Sequence, residues 1–411
     1  MNRTMMLISM IATALCMVVS SAYSADKPSL KFDIHGGVSW YDNIYLDATD
    51  TKSEFVYTLT PSLSYQVPFG KNYFEVLANL QLQQIGGDYT LLTPTGKILF
   101  RHNMSEKMSF AVWDAYTQNN IPDDLGEDFW MNTASVELKR EFTNRTSGTI
   151  GYSYQVLDFP TTSLADYNDN KVSAGLSHMF GARTSVGLTV NWNDRSFDEP
   201  ADQEDLKDYT SYGATVKMEK GVGAKSTLGA YLGFLNKDYK AQNPNASATN
   251  VCANEADDSF TTGGAYFYVP LTSKTSFKVF YDRSVEDTYY IYPGDMPLFP
   301  VSTVLDVYDA TYRDVTSDRT GVTVSHLFGN LITGAIGFVY SKNKAGVEKL
   351  LPGNTIVVPL DEDVYETNVG LSYRPVKNWT FGIGYIYGNR SSEARGNYTY
   401  NKYALNAAYL F

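Results

Sequence analysis

Few side chains in this 411-residue sequence are placed to act as catalysts or metal ligands. Its four histidines are His35, His102, His178 and His326, and no two stand at metal-ligand spacing. Ser177-His178 and Ser325-His326 supply the residue types of a hydrolase dyad. Neighbours on a strand point to opposite faces, so neither pair forms a dyad by itself. His102, His178 and His326 directly precede short turns, which suits amphipathic rings at a membrane boundary. The segment Gly221-Val222-Gly223-Ala224-Lys225-Ser226-Thr227 has the lysine and hydroxyls of a phosphate-binding loop. It lacks the glycine before Lys225, and a strand pattern follows it where that motif needs the amides of a helix start. It reads as a β-turn. The expectation is a protein that is not an enzyme and carries no metal or cofactor.

The N-terminus reads as an export leader. Arg3 precedes an apolar run from Met5 to Val19, and Ala22-Tyr23-Ser24 places small residues at the minus-three and minus-one positions. Residues 1–24 are therefore expected to be a signal peptide and 25–411 the mature barrel. Leu15 before Cys16 argues against a lipid anchor. Only Cys252 then remains, which excludes an internal disulfide, a zinc–cysteine cluster and covalent haem attachment on this chain. The mature charge is 32 basic against 45 acidic residues, or −13, which disfavours nucleic acid. Acidic runs such as Asp198, Glu199, Asp202, Glu204 and Asp205 read as solvated loops.

No mature stretch reaches the roughly 20 apolar residues of a helical span, whereas tilted strands need only about 9–11. The strand pattern is present throughout. In 53–67, Phe55, Tyr57, Leu59, Leu63, Tyr65 and Val67 oppose Glu54, Thr58, Thr60, Ser62, Ser64 and Gln66. In 379–388, Trp379, Phe381, Ile383, Tyr385 and Tyr387 oppose Thr380, Gly382, Gly384 and Gly388. Short turns are expected near 68–71, 105–107, 143–145, 181–182, 220–224, 271–273, 329–330 and 375–377. Long polar connections are expected near 48–52, 87–94, 119–127, 158–168, 195–208, 238–258, 283–317, 342–363 and 390–396. Short periplasmic turns alternating with long outer loops mark a membrane barrel. Seventeen connections give about 18 strands in an all-β, closed, antiparallel transmembrane β-barrel, with the parity around Asp114 ambiguous. An aromatic content of 14% fits the interfacial girdles of such barrels.

Within 397–411, Tyr403, Leu405, Ala407, Tyr409 and Phe411 share one face, and the sequence ends on Phe411. A terminal aromatic on an alternating strand is similar to the outer-membrane assembly signal, which makes the assembly machinery and outer-membrane lipid expected partners. Parity assigns Lys31, Asp33, His35, Glu54, Glu75, Asn79, Gln81, Glu137, Lys139, Lys217, Glu219, Glu366, Asn368, Arg374 and Lys402 to the lumen. Tyr266, Tyr268, Tyr398 and Tyr400 share that parity, where tyrosine faces can stack on sugar rings or serve the rim. The apolar residues Met296, Leu298, Phe299 and Val301, in 291–317, form either a constriction folded into the lumen or a lid on the rim.

The first hairpin, Tyr41-Asp42-Asn43-Ile44-Tyr45 followed by Lys52-Ser53-Glu54-Phe55-Val56-Tyr57-Thr58-Leu59-Thr60-Pro61-Ser62-Leu63-Ser64-Tyr65, resembles the start of the β-barrel porin 2 family. The shared elements are the Asp-Asn pair, the acidic–aromatic pair and a proline inside the second strand. Gly175–Ser185 resembles the family's later hairpins. The resemblance covers about the first 45 mature residues. It implies an outer-membrane conduit for exopolysaccharide, working with periplasmic export components, and supplies no catalytic residues. Two other readings stay open: a general or substrate-selective diffusion porin, and a barrel sheath around a lumen-filling partner such as a multihaem cytochrome.

Overall fold

A computed structural model describes residues 28–43, 52–87, 89–120, 128–159, 166–197, 208–223, 225–239, 258–287, 314–345, 360–392 and 397–411. The leader residues 1–24, Cys252 and the candidate constriction residues Met296, Leu298, Phe299 and Val301 lie outside them.

The alternating sequence forms eighteen strands. The first nine are β1 (Ser29–Tyr41), β2 (Glu54–Phe69), β3 (Asn72–Ile85), β4 (Tyr89–Ser105), β5 (Met108–Asn119), β6 (Phe129–Thr143), β7 (Thr146–Asp158), β8 (Tyr167–Met179) and β9 (Thr184–Phe197). The rest are β10 (Tyr209–Val222), β11 (Ser226–Tyr239), β12 (Asp258–Pro270), β13 (Thr275–Asp287), β14 (Asp314–Phe328), β15 (Ile332–Ala345), β16 (Leu360–Val376), β17 (Trp379–Ser392) and β18 (Tyr398–Leu410). Each pairs antiparallel with its neighbours in sequence, and β1 pairs with β18 from Asp33↔Leu410 to Tyr41↔Lys402. The sheet therefore has no free edge, and the Phe411 amide completes the seam by donating to the Phe32 carbonyl at 2.8 Å.

Short turns gather at the end of the barrel that holds Ser29 and Phe411, and the longer connections at the other. One expectation fails. The connection near 87–94 is a tight turn, and β4 already begins at Tyr89. Gly86 takes φ +59°, the left-handed conformation that lets the chain reverse at once. Pro94 lies inside β4. Here it stands opposite Leu80 and falls in a gap of the β4–β5 ladder, between the bridge Leu92↔Asn120 and Thr95↔Thr117, so its missing N–H leaves that ladder whole on either side.

The two faces of the wall differ in chemistry. One face exposes Leu59 and Leu63 on β2, Leu188, Val190 and Trp192 on β9, Leu228 and Leu232 on β11, and Ile383 and Leu405 on β17 and β18. Such a surface is stable only against hydrocarbon. Its rings form an outer-end band that includes Trp40 with Tyr403, centroids 5.6 Å apart, and a periplasmic band that includes Trp379, Tyr409 and Phe411. His178 and His326 sit in the periplasmic band in matching ways. Each ring nitrogen meets a threonine hydroxyl at 2.8 Å, and each ring meets Phe180 or Phe328 edge-on.

Adjacent residues of β18 test this sidedness. Leu405→Arg, on the convex face and 60% exposed, is expected to destabilise the barrel by about 2–4 kcal/mol. Ala404→Arg, one residue away on the other face, is expected to be near neutral. Urea unfolding in lipid vesicles measures both.

Candidate functional site

The strand registers carry one face around the whole barrel without a break. Tyr41 opposes Lys402 on one side and Glu54 on the other, and Glu75 opposes Gln66 and Leu99. Fourteen of the fifteen sequence-selected residues, from Lys31 to Lys402, fall on this face, and Arg374 lies in the irregular stretch of β16 between Tyr373 and Val376. This face is the concave one, because some of its side chains bond across an intervening strand. Side chains converge inside a cylinder and diverge outside it.

Three such bonds share one design. Tyr266 on β12 lies over Gly229 of β11 and donates its hydroxyl to Glu219 of β10. Tyr231 on β11 lies over Gly264 of β12 and donates to Asp282 of β13. Tyr400 on β18 lies over Gly388 of β17 and donates to Glu366 of β16 at 3.2 Å. In each case the middle strand must offer glycine. A Cβ at Gly264 would stand 2.6 Å from Tyr231 Cε1, well inside contact distance. Phe280 of β13 repeats the packing over Gly321 of β14 without a carboxylate. Rings laid flat keep their bulk against the wall and turn a π face inward. Lys278 completes the β10–β13 group, 5.9 Å from the Tyr266 ring and 5.6 Å from Phe280.

Nearer the outer end, two further clusters line the wall. On β16–β18, the Arg390 Nε donates to Glu362 at 2.5 Å, and its Nη1 donates to the Tyr398 hydroxyl at 2.9 Å. Both members of the ion pair are buried. Beside them Lys402 Nζ sits 4.9 Å over the Tyr41 ring. On β8–β11 a lateral ladder runs Tyr167, Arg195, Tyr209, Lys237. The Arg195 guanidinium is 4.3 Å from Tyr167 and 5.5 Å from Tyr209, and Lys237 is 4.8 Å from Tyr209. Asp169 pairs with Arg195 at 2.7 Å.

The fifteen residues do not converge on one centre. Glu219 and Glu366 belong to tyrosine braces, while Lys402 and Glu54 flank Tyr41. Asp33 bonds His35 at 2.8 Å, Gln66 donates to Glu75 at 2.6 Å, and Asn79 donates to Thr95 at 3.2 Å. Asn368 packs against Gly337, and Gln81 stands opposite Thr93. Lys31, Glu137, Lys139 and Lys217 occupy the same face at separate points. Arg374 turns to the periplasmic rim, where it donates to the Lys377 carbonyl at 2.7 Å. Sequence reasoning missed Tyr41, Asp169, Arg195, Lys237, Phe280, Asp282, Glu362 and Arg390, although all sit on the same parity. Ser177 and His178 occupy opposite faces, so that dyad does not form. Among the described residues, no three His, Cys, Asp or Glu side chains are placed to hold a metal ion, and no helix is long and apolar enough to cross a membrane.

No family model matches the chain, and no curated protein matches its sequence. Solved structures share its architecture. A BenF-like porin from Pseudomonas fluorescens Pf-5 superposes with a TM-score of 0.55 at 13% identity, over 94% of this chain and 100% of that one. The fold is that of an outer-membrane porin. OpdQ from Pseudomonas aeruginosa gives a TM-score of 0.51 at 12% identity, covering 95% of this chain and 99% of that one. The FrpB iron transporter from Neisseria meningitidis gives 0.52 at 8% identity, covering 92% of this chain and 63% of that one.

Two substitutions probe the wall. Glu362→Ala strands the buried Arg390 charge and is expected to cost about 3–5 kcal/mol in urea unfolding. Gly229→Val denies Tyr266 its seat, so the ring must swing into the bore. The expected result is a lower single-channel conductance from a barrel that still folds.

Proposed function

We propose that this protein is an outer-membrane channel for hydroxyl-rich solutes, with exported polysaccharide as its cargo. The observation that carries this reading is the group of flat rings on β10–β13. Tyr231, Tyr266 and Phe280 lie against the wall with carboxylates and Lys278 beside them. A ring face takes the C–H face of a pyranose, while Glu219, Asp282 and Lys278 supply acceptors and a donor for its hydroxyls. The polar, mixed-charge inner face keeps the path wet. The likeness of the first hairpin to the β-barrel porin 2 family favours a polymer over a small solute, and periplasmic export components are then the partners on the short-turn side. The exposed apolar girdle suits an outer membrane, and the seam strand with Tyr403, Leu405, Tyr409 and Phe411 suits recognition by the assembly machinery. The residues 1–24 serve this route as the export leader.

The test is single-channel recording in planar bilayers. Steady conductance, reversibly blocked by alginate oligomers from the periplasmic side, is the expected result. Tyr266→Ala together with Phe280→Ala should shorten the blocked time several-fold and leave open conductance unchanged or raised. Conductance without block would favour a general diffusion porin. A silent barrel that co-purifies with a haem protein would favour the sheath.

A further inference from the structure

The chain is acidic as a whole, with 33 basic against 45 acidic residues, yet its periplasmic mouth is basic. Seven of the eight short turns contain a lysine or arginine. Six of these cations occupy one position, directly before the strand that climbs back to the outer end: Lys71, Lys107, Arg145, Arg183, Lys225 and Lys274. Lys377 opens the turn between β16 and β17, and Glu106 is the one acid in the set. The backbone at the shared position is pinned. The carbonyls of Lys71, Lys107, Arg145, Arg183 and Lys274 each accept an amide from the next descending strand, at 2.7–2.8 Å. The side chains stay exposed, and among the described residues none of the seven is in an ion pair. Neighbouring turns stand two strands apart, or roughly 10 Å. That is about one Debye length, so their fields merge into a ring.

The cationic run continues into the bore. Arg183 lays its guanidinium over Gly221, on the concave side of β10, and donates to the Gly223 carbonyl. Above the ring, Lys31, Arg101, Lys139, Lys217 and Lys278 stand on the concave face in the periplasmic half of their strands. Three carboxylates of the same stretch are already engaged. Glu219 accepts from Tyr266, Glu75 accepts from Gln66 at 2.6 Å, and Asp33 bonds His35 at 2.8 Å. Lys278 leads on to the Tyr266 and Phe280 rings. A lipid headgroup would need cations on the convex side, where the strands carry Arg140 and Lys220 at this end. The outer end reverses the sign: β7 and β13 end on Asp158 and Asp287, and β12 and β14 begin on Asp258 and Asp314.

We propose, building on the polysaccharide-channel reading, that the cargo is a polyanion bearing carboxylates, and that the ring of turn cations captures it at the periplasmic mouth. Successive carboxylates of one polymer hold several cations at once, so weak single contacts add. A basic entrance raises the local concentration of an anion, and an acidic far end discourages its entry from outside. The ring then governs how often the polymer enters, and the flat aromatic rings govern how long it stays.

The experiment is single-channel recording of the full barrel with alginate oligomers and with neutral maltodextrins of the same length, at about 0.1 M and about 1 M salt. Alginate should block more often from the periplasmic side than from the outer side, and more often than maltodextrin. Its block frequency should fall steeply with salt. Lys71→Gln, Lys107→Gln, Arg145→Gln, Lys225→Gln, Lys274→Gln and Lys377→Gln combined should lower that frequency about tenfold and leave the blocked time unchanged. Arginine at the same five lysines should preserve it, which separates charge from turn geometry. Alginate block that is equally frequent from both sides, or unchanged in the combined glutamine variant, overturns the capture ring. An acidic periplasmic protein that co-purifies with the wild type and not with that variant would then own the ring. Salt-independent block by maltodextrin at the same frequency overturns the polyanion and leaves the polysaccharide channel standing. Absence of block by either polymer removes the channel reading and the capture ring together.

Discussion

Everything in this structure follows from the need to pair backbone polar groups where no water can reach them. A strand crossing hydrocarbon must give every N–H and C=O to a neighbour, and a sheet with an edge cannot. The chain meets that requirement by returning β18 to β1 across nine residue pairs, Asp33 to Tyr41 with Lys402 to Leu410. Once the cylinder closes, side-chain direction is no longer a local choice. The period of two along each strand becomes an inside and an outside that agree around eighteen strands.

The concave side then faces a problem of crowding. Eighteen inward rows of large side chains would fill the bore. The tyrosine braces answer this by pairing each ring with a glycine on the next strand and a carboxylate one strand further. Tyr231 and Tyr266 use β11 and β12 reciprocally: each ring lies on the strand that carries the other. The same rings stiffen the wall and line the path, so the features that support the barrel are also those that meet a solute. Registered rows cross strands at right angles while the strands tilt, so each row climbs the wall. Glu219 lies near the periplasmic end of β10, and Tyr400, in the same row, lies near the outer end of β18.

What could be read from the sequence was whatever depends on neighbours along the chain. Strand number, the short turns and face parity are set by nearby residues and emerged directly. Pro94 shows the limit: its type signals a loop, and only the ladder gap opposite β5 reveals that a strand can hold it. The tyrosine braces were out of reach for a different reason. Tyr266 and Glu219 are 47 positions apart, and Tyr231 and Asp282 are 51 apart, with contacts that depend on the register of two hairpins at once. Arg195 and Glu362 were passed over because their strands run into polar loops, where charge reads as solvated, yet both are buried. Asp114 blurred its strand's parity for a physical reason, since it places a carboxylate where an apolar residue is expected.

The central claim is that one continuous alternation separates a watery inside from a lipid-facing outside. Single cysteines placed one at a time at 402–409 of β18, in a Cys252→Ser background, measure it directly. Even positions, which share the face of Lys402, should react with a membrane-impermeant thiosulfonate. Odd positions, which share the face of Leu405, should resist it and be quenched by a lipid-borne nitroxide when fluorescently labelled. Reactivity that is uniform along the strand, or that alternates in the opposite sense, would contradict the account.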